Sequence, residues 1–296
     1  MKRALVLIWR AVPYVLLAAI ILATVFYPTA RVQQGAGEDA CVVTVWNVDT
    51  FEGGKGSRTS FLQRVARLVE HGNTYYRVLS YTAEGAQAAM QEGDYPDILS
   101  FGIGLEVDRE RCIALGGTFA GSALALPWCR GRYLLFSLSD DFEEAGNTAI
   151  SAGGCNLAGA AAYFAGIEGE ERESLAAYLA FLNGEFRYLL GTQRDANRFA
   201  ARGATVYTKA LPEYCDLYQY ICVFSQDLRE ECMDFVGRLL SEDVQGALSD
   251  IGMLPAAGAR GKTIDIFSSA QTLENAAGAV RPGSAEKNPE KYFKSI

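Results

Sequence analysis

Apolar and polar positions follow two different periods in the first third of the chain, which indicates strands and helices in turn. The β-branched run Cys41–Trp46 predicts a buried strand. In Ser57–Gly72 the apolar residues recur at helical spacing instead. A strand-like Tyr75–Tyr81, a helix-like Ala83–Gly93 and a short apolar run at Asp97–Phe101 follow. This order predicts parallel βαβ units in an open α/β sheet.

The remainder of the chain predicts further strands and helices in a less regular order. One strand is expected before Pro127–Trp128 and a second after it, over Arg132–Leu138. Ser174–Leu190 predicts one amphipathic helix whose apolar face holds Leu175, Leu179, Leu182 and Phe186. The other predictions are a helix over 191–203, an extended return over 204–214, a strand over 218–226 and a helix over 227–252.

The N-terminal segment predicts a membrane anchor. Between Arg10 and Pro28 the chain has 17 residues without a charge, close to the ~20 apolar residues that a membrane span needs. Two basic residues precede this run, so the positive-inside rule places the N-terminus in the cytoplasm. We expect residues 1–30 to anchor the protein in the cell membrane, 31–40 to be a flexible linker and the bulk to be extracellular. Cleavage of the segment as a signal peptide, with secretion, is the alternative.

Charge argues against nucleic acid as a partner. The chain has 27 basic and 35 acidic residues, and the first 34 residues carry four of the basic ones and none of the acidic ones. The remainder therefore holds 23 basic against 35 acidic residues. A surface that negative repels a phosphate backbone, and no basic cluster interrupts it.

The glycine-rich loop Gly53–Ser57 does not fit a nucleotide-binding motif. A phosphate-binding loop needs lysine directly after its last glycine, whereas here Lys55 lies between Gly54 and Gly56. Its position after the first strand fits a ligand-facing loop better, since ligands of open α/β sheets lie beyond the carboxyl ends of strands. Asp49, Phe51 and Glu52 are therefore candidate ligand-binding residues. The alternative is a simple turn with solvated acids and Ser57 as a helix cap.

A second candidate group lies at the start of the helix predicted over 191–203. Thr192 and Asp195 have the spacing of a capping box, which accounts for both residues structurally. Gln193 and Arg194 are expected to project from the exposed first turn, where an amide and a guanidinium suit recognition of hydroxyl or carboxylate groups. We take Gln193, Arg194 and Asp195 as candidate ligand contacts. Trp128 is a further candidate, because a flat ring beside a cleft can stack on a sugar, although core packing is the commoner role.

Catalytic and metal chemistry have little support in the sequence. His71 is the single histidine, so a serine or cysteine nucleophile has no obvious base. The seven cysteines include no C-x-x-C pair, which argues against a zinc site. We therefore expect no enzyme activity, no metal and no cofactor.

Several stretches together resemble family 1 extracellular solute-binding proteins, the receptors of ABC importers of the maltose- and oligosaccharide-binding type. They are VVTVWNVDTFEGG with the helix after it, YPDILSFG, ALPWCRGRYLLF, GTQRDANRFAARG and the segment from YQYICVFSQ to GMLPA. The resemblance covers most of Val42–Pro255. Its most specific part is the C-terminal stretch, where an apolar strand leads into a helix that contains Asp234–Gln245. It implies a two-lobed Venus-flytrap fold, type II of the periplasmic-binding-protein fold, behind an N-terminal transmembrane helix.

By this resemblance residues 41–128 and 219–261 form lobe 1, and residues 129–218 form lobe 2, with the tail 262–296 packing on lobe 2. The ligand would lie in the cleft between the lobes. The implied function is membrane-anchored solute binding for ABC transporter permease subunits, with a small polar solute, a saccharide being favoured, as ligand. The alternative is a binding-protein-like interaction or sensor module that docks a membrane partner without transport.

Overall fold

The computed structural model describes residues 40–102, 105–117, 122–142, 146–152, 158–211 and 216–256. Within them Val43–Val69 and the residues from Tyr76 onwards form one compact unit, and the short stretches 40–42 and Glu70–Tyr75 group separately. None of the helices in these ranges has the length and apolar character to cross a membrane. The anchor predicted over residues 1–30 lies outside the described residues, as do the linker up to residue 39 and the tail.

Ten strands and seven α-helices make up the described part of the chain. The strands are β1 Cys41–Val48, β2 Thr74–Tyr81, β3 Ile98–Gly102, β4 Leu126–Ser137, β5 Thr148–Ala152, β6 Glu170–Glu173, β7 Tyr188–Thr192, β8 Tyr207–Ala210, β9 Asp216–Val223 and β10 Leu254–Pro255. The helices are α1 Arg58–Val69, α2 Ala83–Gln91, α3 Ala158–Ala165, α4 Ser174–Leu182, α5 Gln193–Ala201, α6 Arg229–Leu239 and α7 Glu242–Gly246. Short 3₁₀ helices cover Arg109–Arg111 and Ala247–Ile251.

The strands follow the order β2-β1-β3-β9-β4-β7-β5-β6, with β8 and β10 both paired to β4. β1 and β3 are parallel, with Val45 opposite Ile98, and helix α2 precedes β3 in the chain. This confirms the parallel βαβ arrangement predicted for the first third. β9 then adds antiparallel to β3, with Ile221 opposite Ser100.

Strand β4 serves two parts of the sheet. Its first half, Leu126–Arg132, pairs with β9, and its second half, Tyr133–Ser137, pairs with β7 and β8. We call β1–β3, β9 and the first half of β4 the first half-sheet. The second half-sheet comprises β5–β8 and the second half of β4.

Each half-sheet has its own apolar packing. In the first, α1 packs against α6, and Phe61, Leu62 and Phe235 are buried. In the second, α4 and α5 cover the sheet around Phe199, whose ring contacts the rings of Phe136, Tyr178 and Phe181. Clustered aromatic rings bury large apolar areas, so these contacts hold both helices in place.

The helix predicted over Ser174–Leu190 is wrong in its second half. Helix α4 ends at Leu182, Gly184 adopts a left-handed backbone with φ +77°, and β7 begins at Tyr188. The predicted apolar face is wrong for Leu175 and Leu179, which are 51% and 39% exposed, whereas Phe186 is buried and Leu182 packs against the core. Ala177, Tyr178, Ala180 and Phe181 are buried instead: the alanines let α4 lie close to the sheet, and the two aromatic rings pack against Phe199.

Other sequence predictions need correction in the same region. Pro127–Trp128 does not separate two strands, because β4 runs through it with an irregularity in its pairing to β9. Glu170 and Glu171, for which the pattern predicts no strand, belong to β6, which pairs parallel with β5. The helix predicted over 227–252 consists of α6, α7 and a 3₁₀ helix, and Gly252, with φ +68°, ends the last of these.

Candidate functional site

The glycine-rich loop after β1 packs closely against the chain before β10. The backbone N–H groups of Lys55 and Gly56 donate to the carbonyl oxygen of Ile251 at 2.9 and 3.2 Å. A Cβ atom at Gly54 would lie 2.3 Å from the carbonyl oxygens of Ile251 and Gly252. The glycines therefore permit close approach of two backbones, and both amides are occupied within the protein.

A buried polar network lies at the carboxyl ends of β1 and β3. The side-chain amide of Gln219 donates through Nε2 to the Val48 carbonyl and to Ser100 Oγ, both at 3.0 Å. Ser100 Oγ in turn donates to Asn47 Oδ1 at 2.9 Å and accepts from the Trp128 indole at 3.1 Å. Asn47, Ser100 and Gln219 have no exposed surface, so these hydrogen bonds satisfy groups that water cannot reach.

Arg58 joins this network to the loop. Its side chain is only 2% exposed, and its Nε lies 2.8 Å from Asp49 Oδ1. The guanidinium also donates to the Phe51 carbonyl and, at 3.4 Å, to Gln219 Oε1, and it lies over the Phe51 ring. Arg58 thus neutralises Asp49 and fixes the course of the loop from Asp49 to Glu52.

Glu52, at the tip of this loop, contacts the second half-sheet. Its carboxylate oxygens lie 2.6 Å from Arg194 Nη1 and 2.7 Å from Ser174 Oγ. Ser174 is the first residue of α4, and Arg194 lies in the first turn of α5. Ser151 Oγ, at the end of β5, lies 2.8 Å from Ser174 Oγ. One carboxylate from the first half-sheet is therefore bound by two groups attached to the second.

The structure places the remaining candidates of α5 in structural roles. The capping box predicted for this helix is confirmed: Thr192 Oγ1 accepts from the Arg194 N–H, and Asp195 Oδ2 accepts from the Thr192 N–H. Asp195 also pairs with Arg198 at 2.8 Å. Gln193 was expected on an exposed turn, but it is buried.

The Gln193 amide is held between β4 and the chain before β10. Its Oε1 accepts from the Arg132 N–H at 2.8 Å, and its Nε2 lies 3.4 Å from Met253 Sδ. A Cβ at Gly131 would clash with this amide at 2.8 Å, so the glycine makes room for it. Gln193 and Asp195 can contact a ligand only if these partners are displaced.

Burial determines the protonation behaviour of Asp195. Desolvation raises the pKa of this carboxyl above its ordinary value, and the charge of Glu52 adds to the effect. The Thr192 N–H and the Arg198 guanidinium oppose it, because both stabilise the charged form. Glu52 and Asp195 are thus electrostatically coupled in this part of the molecule.

Both aromatic candidates lie inside the protein. The Trp128 side chain has no exposed surface and stacks against Phe61 at a centroid distance of 5.8 Å. Phe51 is 7% exposed beneath the Arg58 guanidinium. Either ring can meet a solute only after its neighbours move, and their roles as ligand contacts stay predictions.

The sequence reasoning missed several residues of this site, among them Asn47, Arg58, Ser174 and Gln219. A usable signal existed for two of them, since Asn47 and Gln219 are polar residues inside otherwise apolar strands. Such residues need buried partners and so mark a place where strands share a polar network. Ser174 and Arg58 carry no such signal, because a helix start is an ordinary place for either. In the described part of the chain, no cluster of three or more His, Cys, Asp or Glu residues could hold a metal ion.

Solved structures of a receptor and of a substrate-binding domain have a similar fold. The GacH receptor of Streptomyces glaucescens, solved unliganded and with acarbose, has a TM-score of 0.56 and 13% identity, covering 86% of this chain and 96% of that one. The substrate-binding domain of a putative molybdenum ABC transporter from Clostridium difficile has a TM-score of 0.52 and 10% identity, covering 73% and 100%. This chain has the fold of the periplasmic solute-binding proteins.

A signalling protein shares the fold as well. A two-component system protein that mediates signal transduction has a TM-score of 0.52 and 11% identity, covering 72% of this chain and 85% of that one. No protein-family model matches the sequence, and no curated protein is significantly similar to it. The predicted α/β fold is therefore confirmed as one that these neighbours share, while the two-lobed type II arrangement and the N-terminal transmembrane helix stay predictions.

Proposed function

We propose that this protein is a solute-binding protein that encloses a small polar solute between the Asp49–Glu52 loop and the first turns of α4 and α5. The observation that carries the proposal is the contact of Glu52 with Arg194 and Ser174. It joins polar groups of the two half-sheets at the carboxyl ends of β1, β6 and β7, where ligands of α/β folds bind.

The contact is also weak enough to open. The Arg194 and Glu52 side chains are 38% and 26% exposed, and an ion pair with that exposure contributes about 1 kcal/mol or less. The fully buried network around Gln219 lies within the first half-sheet and would stay intact during opening. Hinged closure over a ligand needs this combination of rigid parts and a separable contact.

We further propose that the protein is a family 1 extracellular solute-binding protein that serves an ABC importer. The N-terminal apolar segment would anchor it to the cell membrane, with the rest of the chain extracellular, and the closed form would dock on the permease subunits. The fold shared with the acarbose-binding GacH receptor and with the molybdenum transporter domain supports this role. It requires binding and no catalysis.

A binding experiment tests this proposal. The full-length protein, purified in detergent, is melted against sugars, amino acids, peptides, polyamines and oxyanions. A ligand at 100 times its Kd stabilises by about 2.7 kcal/mol, which raises the Tm of a chain of this size by several degrees. If a cooperatively melting sample shifts with no compound of a broad panel, the receptor function is wrong.

A sensor or docking module is the second candidate, and the fold shared with the two-component signalling protein favours it. The two functions differ in the phenotype of a deletion strain. Loss of uptake of the bound solute supports the importer. Normal uptake together with a lost transcriptional response to the solute supports the sensor.

A further inference from the structure

The charges that meet at the proposed binding site are unevenly satisfied. Asp49 is neutralised by the buried Arg58, and Asp195 is neutralised by Arg198. The carboxylate of Glu173, beside Ser174, accepts hydrogen bonds from the Leu175 and Ala176 N–H groups of its own helix. Each of these groups finds its partner within its own half-sheet, so opening the contact leaves it unchanged.

Glu52 and Arg194 differ from these groups, because each finds its partner across the contact. When the loop and α5 separate, the Glu52 carboxylate loses the Arg194 guanidinium and the Ser174 hydroxyl together. A solute that enters between them must therefore meet two walls of opposite charge. One wall is the loop with the negative Glu52, and the other is formed by α4 and α5 with the positive Arg194.

The wall formed by α4 and α5 is already arranged for a carboxylate. A carboxylate only accepts hydrogen bonds, so the Ser174 hydroxyl donates its proton to Glu52. In the contact of the two serines, Ser151 must then donate to Ser174. Ser151 and Ser174 are 1% and 2% exposed, which holds this chain of donors in one orientation.

Charge balance separates the possible ligand classes. A neutral solute would replace a direct ion pair by two neutral–charged contacts. A simple anion would satisfy Arg194 but would face the Glu52 carboxylate, and a simple cation would have the same difficulty with Arg194. A zwitterion satisfies both walls, because its carboxylate replaces that of Glu52 at Arg194 and Ser174 while its ammonium group pairs with Glu52.

We propose that the solute is a small zwitterion carrying a carboxylate and an ammonium group, an amino acid or a compound of similar charge. Its carboxylate binds Arg194 and Ser174, and its ammonium group binds Glu52. This proposal rests on the proposed function as a solute-binding protein. In the present structure the Glu52 carboxylate occupies the position that the carboxylate of the solute would take at Arg194 and Ser174.

The test compares probes that share a skeleton and differ in charge. Full-length protein in detergent is titrated calorimetrically with the L-amino acids as zwitterions, with propionate and ethylamine as the two halves of alanine, and with glucose and maltose as neutral solutes. We expect at least one amino acid to bind, and the matching acid and amine to bind at least tenfold more weakly.

Variants then assign the two walls. Glu52→Gln keeps the side-chain shape and Arg194→Gln shortens the side chain, and each removes one charge. Both should raise the Kd of the bound amino acid at least tenfold. Asp141→Asn and Arg187→Gln are the matched controls. These two residues form an exposed ion pair with a distance of 2.6 Å. Arg187 precedes β7 whereas Arg194 follows it, so both substitutions should leave the Kd unchanged.

The outcomes separate this proposal from the proposed function. Binding of a sugar that both glutamine variants retain overturns the zwitterion proposal and leaves the receptor function intact. Binding of an amino acid that survives both substitutions also overturns the assignment of these walls. Absence of binding by every amino acid overturns the zwitterion proposal alone, and the receptor function is contradicted only if the broad melting panel of sugars, peptides, polyamines and oxyanions also produces no shift.

Discussion

The carboxylate of Glu52 and the guanidinium of Arg194 lie 2.6 Å apart, although one follows β1 and the other follows β7. The contact connects the two half-sheets while the neighbouring charges are satisfied within each half-sheet. A separable contact of this kind lets two rigid parts of a protein move relative to each other without exposing buried charge.

We expect the Glu52–Arg194 pair to add little to global stability. Glu52→Gln and Arg194→Gln should each lower the free energy of unfolding by about 1 kcal/mol or less, with a coupling energy of about 0.2–1 kcal/mol, because the pair is partly solvated. Urea denaturation of the two single variants and the double variant measures this coupling. A coupling above about 2 kcal/mol would show that the contact is a structural element and would count against easy opening.

Gln219 should matter far more than its small side chain suggests. Gln219→Ala leaves the buried Val48 carbonyl and the Arg58 guanidinium each without one hydrogen-bond partner. We expect a loss of about 2–3 kcal/mol in the free energy of unfolding. Gln226→Ala, at an exposed position after β9, is the matched control and should change stability by less than about 0.5 kcal/mol. Equal effects of the two substitutions would contradict the network.

Two glycine substitutions should act with opposite signs. Gly54→Ala places a Cβ 2.3 Å from two carbonyl oxygens, so we expect about 1–3 kcal/mol of destabilisation from the displaced loop. Gly237→Ala lies in α6 with nothing within 4 Å, and alanine favours a helix over glycine by up to about 1 kcal/mol. Thermal melts of both variants check the signs. A stable Gly54→Ala variant would show that the loop does not need close backbone approach.

The buried Asp195 should give stability a pH dependence of defined sign. Its pKa is raised in the folded protein, mainly by burial, so the folded chain binds the proton more tightly than the unfolded chain does. The cost of ionising Asp195 is absent below the ordinary aspartate pKa near 4, and it develops as the pH rises through the raised value. The stability of the wild type relative to Asp195→Asn should therefore fall with rising pH and then level off.

Asp243 provides a control of opposite sign. The Ser241 hydroxyl is the main cause that lowers the pKa of this exposed carboxyl. Its stabilising effect is present above the ordinary aspartate pKa and is lost as the pH falls through the lowered value. Urea denaturation between pH 3 and 8 of the wild type, Asp195→Asn and Asp243→Asn tests both signs. Parallel curves for the two variants would contradict the assignment.

Much of the first half-sheet could be predicted from the sequence, because its signals are local. The β-branched run from Cys41 and the helical spacing after Ser57 each depend on residues within a few positions of one another. The capping box of Thr192 and Asp195 has the same character and was found for the same reason.

The second half-sheet shows where local signals fail. Leu175 and Leu179 have helical apolar spacing but lie on the exposed face, because α4 turns its alanines, Tyr178 and Phe181 to the sheet instead. The acidic strand Glu170–Glu173 has no strand-like pattern and exists because β5 offers it a parallel edge. The hydrophobic period and the strand propensity of a segment do not show which distant strand or helix it packs against.

The sequence by itself therefore determined the α/β class, the resemblance to solute-binding proteins and the placing of Glu52 and Arg194 at the ends of separate elements. Only the tertiary structure decided that these two side chains meet, that Arg58 neutralises Asp49 and that Trp128 is buried. The reason is physical: local structure depends on neighbours in the chain, whereas these contacts depend on how β4 and β9 bring distant segments together. The same pairing places Ser174 where it can donate to Glu52.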